Sequence, residues 1–266
     1  MHVGLPVPVL PLPPVRSGGF LGGMRDHDPV GAPSLVVLDA GPEPGRLAMV
    51  REAGLARRAR EGAGPCWILR FHGWAEPVLS LGKTQALPED LAESARAAGV
   101  DPVRRPTGGG WLLHLPGDLA VTLVARGPLR AGELRGTARL VGEAIAGALE
   151  RLGLGARAAA ASATPPGAGR ADVCFQRVDR EEVTAGSTKV AGVALARVGR
   201  AALVQAAIPL VAATGPLAAF EARWDPRRRE AVARTAGIAP GPLAAAIEEG
   251  IAERLPAETG EGKTTG

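Results

Sequence analysis

A pair of arginines followed by three consecutive glycines narrows what this chain can build more than any other stretch. It reads Arg104-Arg105-Pro106-Thr107-Gly108-Gly109-Gly110-Trp111-Leu112-Leu113-His114. Glycines carry no Cβ, so another molecule can lie directly against their peptide groups. The arginines supply planar guanidinium forks suited to carboxylate or phosphate. After the glycines the pattern turns strand-like and then presents His114. Basic pair, glycine hinge, apolar strand and histidine together suggest a wall for an elongated anionic ligand. The alternative is a tight turn between two strands, with the glycines supplying positive φ.

The rest of the chain limits the choices. Its 266 residues suit one large domain, or one domain with a small appendage, and 46% apolar residues provide ample core. No apolar run approaches the roughly 18 to 20 residues of a membrane span, so no membrane partner is expected. Two cysteines, Cys66 and Cys174, cannot form a disulfide framework and point to a reducing compartment, the cytoplasm. A formal charge of +4 and a pI near 9.8 favour an acidic partner. Nucleic acid is disfavoured, because tyrosine is absent, phenylalanine is scarce and the positive charge is spread out. Only Lys83, Lys189 and Lys263 among the 31 basic residues are lysines. Where arginine serves wherever charge alone is wanted, Lys83 and Lys189 stand out.

Residues 1–33 are expected to be a disordered Pro/Gly-rich extension rather than a signal peptide, with Met24 a candidate start of translation. Residues 34–255 are expected to form the single folded domain and 256–266 a polar tail. Strands are expected at 34–39, 66–71, 77–82 and 118–124, with helices at 43–60, 87–98 and 134–152. A strand ladder is expected from Asp172 onward: Cys174-Phe175 opens it, 182–184 and 189–196 continue it, and 201–210 closes it. Short helices fill 217–255. Without strict βαβ alternation the class is α+β.

Lys189 begins a strand whose alternation puts it with Ala191, Val193 and Leu195. It sits either at the solvent rim or turned inward toward a ligand anion. Cys174 lies fifteen residues earlier in the chain. If the two flank a hairpin they meet, and an ammonium beside a thiol favours the nucleophilic thiolate. The competing reading of Cys174, and more so of Cys66, is a small buried hydrophobe. His114 is a candidate general base or a hydrogen-bonded residue at a strand end. His2, His27 and His72 stand singly, and no spacing suits a metal.

Three blocks in order resemble the biotin/lipoate protein ligase superfamily in its lipoate-ligase and octanoyltransferase branch. They are Phe71 to Gln85 (FHGWAEPVLSLGKTQ), the 104–114 run, and Lys189-Val-Ala-Gly-Val-Ala194. The resemblance spans about Leu35 to Leu255 and implies a mixed β-sheet flanked by helices. It implies that Arg105, Thr107, Gly108, Gly109, Gly110, His114 and Gly192 line an acyl tunnel, and that Lys189 binds the acyl carbonyl. One branch carries the acyl group on a cysteine in a Cys-Phe pair before the lysine strand, which implies Cys174 as nucleophile. That route takes octanoyl or lipoyl from acyl carrier protein to a lipoyl-domain lysine, with no cofactor. The alternatives are an ATP- and Mg²⁺-dependent ligase acting through an acyl-adenylate, and a non-catalytic module that binds acyl carrier. The chain departs from the family at Leu115, at Gly192-Val193-Ala194-Leu195 and at Gln205-Ala206-Ala207. These changes remove polar groups near the expected acyl head and nucleotide.

Overall fold

A computed structural model describes residues 35–61, 66–126, 133–160 and 173–255. The expected extension at 1–33, the tail at 256–266 and the loop around Pro165 lie outside these residues. The chain runs β1 (Leu35–Glu43), α1 (Gly45–Glu61), β2 (Cys66–Trp74), β3 (Val78–Leu81), α2 (Glu89–Ala97), β4 (Asp101–Arg104), β5 (Leu112–His114) and β6 (Leu119–Arg126). There follow α3 (Glu133–Arg151), β7 (Arg157–Ala158), β8 (Val183–Ala185), β9 (Thr188–Val198), β10 (Ala201–Ile208), α4 (Gly215–Trp224), α5 (Pro226–Thr235) and α6 (Pro240–Arg254).

Seven strands form a mixed sheet in the order β1-β2-β6-β10-β9-β8-β7, with only β1 and β2 parallel. Strand period decides what each face meets. Leu69, Phe71, Leu119, Val121, Leu123, Val204, Ala206 and Ile208 face α3 and α6 and form the main core. Leu38, Val124 and Leu203 face α1 through Leu55, Ala56 and Ala59. The fold is therefore α+β, with helices on both faces of a mixed sheet.

A second, three-stranded sheet, β4-β3-β5, lies beside the α1 face. Leu79, Leu81, Trp111 and Leu113 pack against α2 and Phe220 of α4. Their neighbours Ser80, Leu112 and His114 point the other way, toward the large sheet. β4 was not expected from sequence. Of its four residues only Val103 is buried, so it carries no alternation to read.

Two expectations are corrected. Cys174–Gln176 is a single 3₁₀ turn, not the opening strand of a ladder. Its backbone groups find partners elsewhere: Cys174 N–H donates to Trp111 O, and the Cys174 carbonyl accepts from Lys189. The face assigned to Lys189 is also corrected. A register shift pairs Val183 with Ala191 and Thr184 with Lys189, leaving Val190 as an extra residue. Val190 and Ala191 both enter the main core. The bulge thus turns Lys189 away from Ala191 and onto the face of Gly192.

The small sheet is anchored by Arg228 of α5, which is fully buried. It donates to Leu113 O at 3.0 Å and Asp118 Oδ2 at 2.5 Å, and also to Glu221. Asp118 accepts in turn from the N–H groups of Leu115 and Leu210, joining the β5–β6 turn to the end of β10. Arg228→Met leaves two buried carboxylates uncompensated. It is expected to lower stability by about 3–5 kcal/mol in urea unfolding, and a loss near zero would refute this anchoring role.

Candidate active site

Pairing register builds the floor of the site. His72 opposes Ala120, Ala120 opposes Ala207, and Ala207 opposes Gly192, making one row across β2, β6, β10 and β9. On the α1 face this row carries a glycine and two alanines before it meets His72. The missing side chains leave a groove. The next row, Arg70, Thr122, Gln205 and Ala194, is polar and bounds the groove on the α1 side. Ser80, Leu112, His114 and Arg105 roof it, and the cavity measures about 460 Å³ counted with its open mouth.

Cys174 and Lys189 meet at the Gly192 end. Lys189 Nζ lies 3.5 Å from Cys174 Sγ. It donates to Cys174 O at 2.6 Å, Arg177 O at 3.1 Å and Glu182 Oε1 at 2.6 Å, and it lies 5.2 Å from the centre of the Phe175 ring. Lysine is thus turned inward and paired rather than left at the rim. Burial opposes the charge of its ammonium, and the ion pair and hydrogen bond with Glu182 help to hold it charged. Glu182 also accepts from Asp179 N–H. Burial raises the Glu182 carboxyl to about 6 even beside Lys189. Burial also pushes the Cys174 thiol up, against the pull of Lys189, while Glu182 adds to the rise. In the resting protein Cys174 is therefore a thiol poised beside a cation. A Cβ on Gly192 would sit 3.0 Å from its sulfur, so the missing side chain is what makes room for the thiol.

The arginine pair does something other than expected. Arg105 Nε and Nη2 donate to Gly108 O, Nη2 also to Gly110 O, and Nη1 to Ser80 O. Arg104 binds the carbonyls of Gly82 and Gln85. The Arg105 fork is occupied by backbone carbonyls and clamps the glycine loop rather than facing an anion, while Arg104 spends one amino group on the segment after β3. The loop in turn packs so closely on β3 that a Cβ on Gly82 would lie 2.1 Å from Gly109 O. Arg105 still lines the cavity, whereas Thr107 and Gly108–Gly110 are not part of its lining. Thr107 donates to Gln205 at 2.5 Å instead. His114 lines the groove, shares a 2.7 Å hydrogen bond with Ser80 and stacks on Trp74 with centroids 4.0 Å apart. Burial, reinforced by Arg105, holds it well below the usual histidine range, so it is neutral. Lys83 is exposed.

With this geometry in hand, the comparisons are specific. The sequence matches the lipoyl protein ligase A/B catalytic domain over residues 46–235. The chain belongs to that family. It is 32% identical over 165 residues to octanoyltransferase LipM of Symbiobacterium thermophilum, covering 60% of each chain. It is 30% identical over 177 residues to octanoyltransferase LipM of Moorella thermoacetica, covering 65% of this chain and 64% of that one. The chain thus spans about three fifths of the length of these curated relatives. In fold it is similar to a lipoate protein ligase of T. acidophilum with bound lipoic acid, with TM-score 0.62, 23% identity and 84% and 85% of the two chains covered. A lipoate-protein ligase A bound with ATP gives the same TM-score at 22% identity and the same coverage.

Several members of the site were missed in the sequence. Glu182 stands seven residues before Lys189, and only the bulge shows that they meet. Glu52, on α1, accepts from Thr122 at 2.6 Å, from Arg70 at 3.3 Å and from Gln205. Arg70 also donates to Glu43. Buried acids on an amphipathic helix give no sequence signal until their partners on two distant strands are known.

The pH profile of iodoacetamide alkylation, read by mass at the Cys174 peptide, tests this coupling. Because the thiol is raised, its midpoint is expected above that of a free cysteine. Glu182→Gln removes a negative neighbour and should lower the midpoint, while Lys189→Met should raise it. Midpoints unmoved by both substitutions would refute the arrangement. Gly192→Ala, which crowds the sulfur, is expected to slow alkylation about tenfold or more at fixed pH.

Proposed function

We propose that this protein is an octanoyltransferase that carries the acyl group on Cys174. The observation that supports this most directly is the Cys174–Lys189 pair, 3.5 Å apart at the Gly192 end of a groove floored by glycine and alanine. A small-residue floor suits an unbranched chain, and a thiol at its end suits a thioester. The curated relatives named octanoyltransferase agree with this choice.

Transfer takes two steps. The Cys174 sulfur attacks the carbonyl carbon of the octanoyl thioester on acyl carrier protein, and its proton ends on the departing carrier sulfur. The ammonium of Lys189 stands where negative charge develops on the carbonyl oxygen. A lysine amine of a lipoyl-domain protein then attacks the Cys174 thioester, forming the amide and returning the thiol. Exchanging one thioester for another conserves the activation energy, so the first step requires no nucleotide. A basic chain suits the expected acidic carrier and acceptor. The T. acidophilum ligase has been described with its E2 lipoyl domain, and we assign the same class of acceptor here. Its setting is the cytoplasm, where both partners and a free thiol are at home. Among the described residues no helix is long and apolar enough to cross a membrane.

Intact-mass measurement after mixing the protein with octanoyl-acyl carrier protein, without ATP, tests the proposal. One added octanoyl group is expected, and none with Cys174→Ala. An unmodified protein that forms octanoyl-adenylate from ATP and free octanoate would replace this reading with a ligase. Neither adduct nor adenylate would leave a module that only binds acyl carrier.

A further inference from the structure

As the Cys174 sulfur attacks, its thiol proton must leave, and the departing carrier sulfur must gain one. Between the two events the proton needs somewhere to stay. Glu182 is suited to hold it, although it does not line the groove. It reaches the sulfur through Lys189: its Oε1 lies 2.6 Å from Nζ, and Nζ in turn lies 3.5 Å from Cys174 Sγ.

The chain is bent to aim this carboxylate. Glu181 has a left-handed backbone with φ of 69°, the one non-glycine residue to do so among the described residues. Such a conformation is strained for a residue with a side chain. Its carbonyl presses on α3 where Gly142 leaves room, since a Cβ there would lie 2.1 Å from the Glu181 oxygen. Glu181 N–H donates to Ala159 O, and the Glu182 carbonyl accepts from Ala159 N–H. Glu182 Oε2 accepts from Asp179 N–H at 2.7 Å. Helix, strand and loop thus fix both oxygens of a buried carboxylate.

Charge favours a proton shift within this cluster. At rest it holds a thiol, an ammonium and a carboxylate. Lys189 gives one proton to Glu182 Oε1 and becomes an amine. Rotation about the Cε–Nζ bond turns the lone pair to the thiol, whose proton it takes. The result is a thiolate, an ammonium and a carboxylic acid, with the total charge unchanged. A proton lost to water would instead add a negative charge to a buried cluster, which burial penalises. After the attack, Lys189 gives a proton to the departing carrier sulfur and recovers one from Glu182.

We propose that Glu182 is a positioning residue that takes up the Cys174 proton through Lys189 during acyl loading and returns it when the carrier sulfur leaves. This rests on the Cys174 thioester reading above. Burial raises the Glu182 carboxyl to about 6, against Lys189, so near neutral pH it is ionised yet basic enough to hold a proton. The charged groups around it are Lys189, Asp179 on its own loop, and Arg135 of α3, which pairs with Glu181 at 3.5 Å. Asp225, ahead of α5, acts on Lys189 and Cys174 from a further side. Burial raises Asp225 to about 7, against Arg228, so its titration must be told apart from that of Glu182.

Single-turnover loading of the full chain from saturating octanoyl-acyl carrier protein, read by intact mass from acid to mildly alkaline pH, tests the relay. Glu182 must be ionised to accept, so the wild-type rate is expected to fall as pH drops through about 6. Glu182→Gln should abolish this acidic limb and slow loading at neutral pH by about a hundredfold, as loss of a proton acceptor does. The same substitution removes a negative neighbour of the thiol, so alkylation should become easier while loading becomes slower. A purely electrostatic role would move both the same way. Glu182→Asp keeps a titrating carboxylate and should restore the limb and part of the rate. Asp225→Asn keeps the cap of α5 and should leave the limb in place. A wild-type rate flat through about pH 6, a limb lost with Asp225→Asn, or a limb that survives Glu182→Gln would each overturn the relay. The wild-type and Asp225→Asn profiles decide the question even if Glu182→Gln does not fold. If octanoyl loads onto Cys174 with none of these effects, the relay alone fails. If no adduct forms, the transferase reading fails with it.

Discussion

One buried ammonium organises the Cys174 end of the groove. Lys189 has three N–H groups, and the carbonyls of Cys174 and Arg177 and the carboxylate of Glu182 receive them. A lysine that is 4% exposed is tolerable only with such partners. The same bonds shape the chain around it. The two carbonyls curl the segment 174–177 into a turn, and that turn puts the Cys174 sulfur over Gly192. Removing the cation would leave a carboxylate and two carbonyls short of donors, so charge and local backbone are set together.

The groove itself depends on absence. Gly192, Ala207 and Ala120 lie in one row of the sheet, and any larger side chain there would fill it. Behind them a polar layer gives the floor a fixed edge. Glu52 gathers Arg70, Thr122 and Gln205, and Gln205 reaches on to Thr107 in the glycine loop. Gln205 links helix, sheet and loop. Burial keeps Glu52 raised above the usual carboxylate range despite Arg70, the balance expected of an acid enclosed among donors. Such a network holds one arrangement, because each altered contact strands a buried polar group.

The roof is fixed by arginines acting through backbone. Arg105 wraps the carbonyls of its own loop, Arg104 holds the segment after β3, and Arg228 ties the β5–β6 turn to the C-terminal helices. Composition explains why arginine fills these places, since a planar fork can satisfy several carbonyls from one position. The arginine pair thus performs a structural task at the edge of the site, with the charge of Arg105 still felt by His114 and Cys174.

Much of this was legible in the sequence. Helix and strand periods located the main elements, because burial on one face of a sheet or helix leaves a repeating pattern. The rarity of lysine marked Lys189, the Cys-Phe pair marked Cys174, and three ordered blocks carried the family. What the sequence could not decide were matters of pairing and register. One extra residue at Val190 reverses the face of Lys189, and no local pattern records a bulge. The row from Gly192 to His72 exists only once four strands, separated by long stretches of chain, align. Whether an arginine meets a ligand or a carbonyl depends on neighbours brought from distant segments. The sequence by itself determined which chemical groups were present, and only the tertiary structure decided which of them face one another, because contact follows from register rather than from order along the chain.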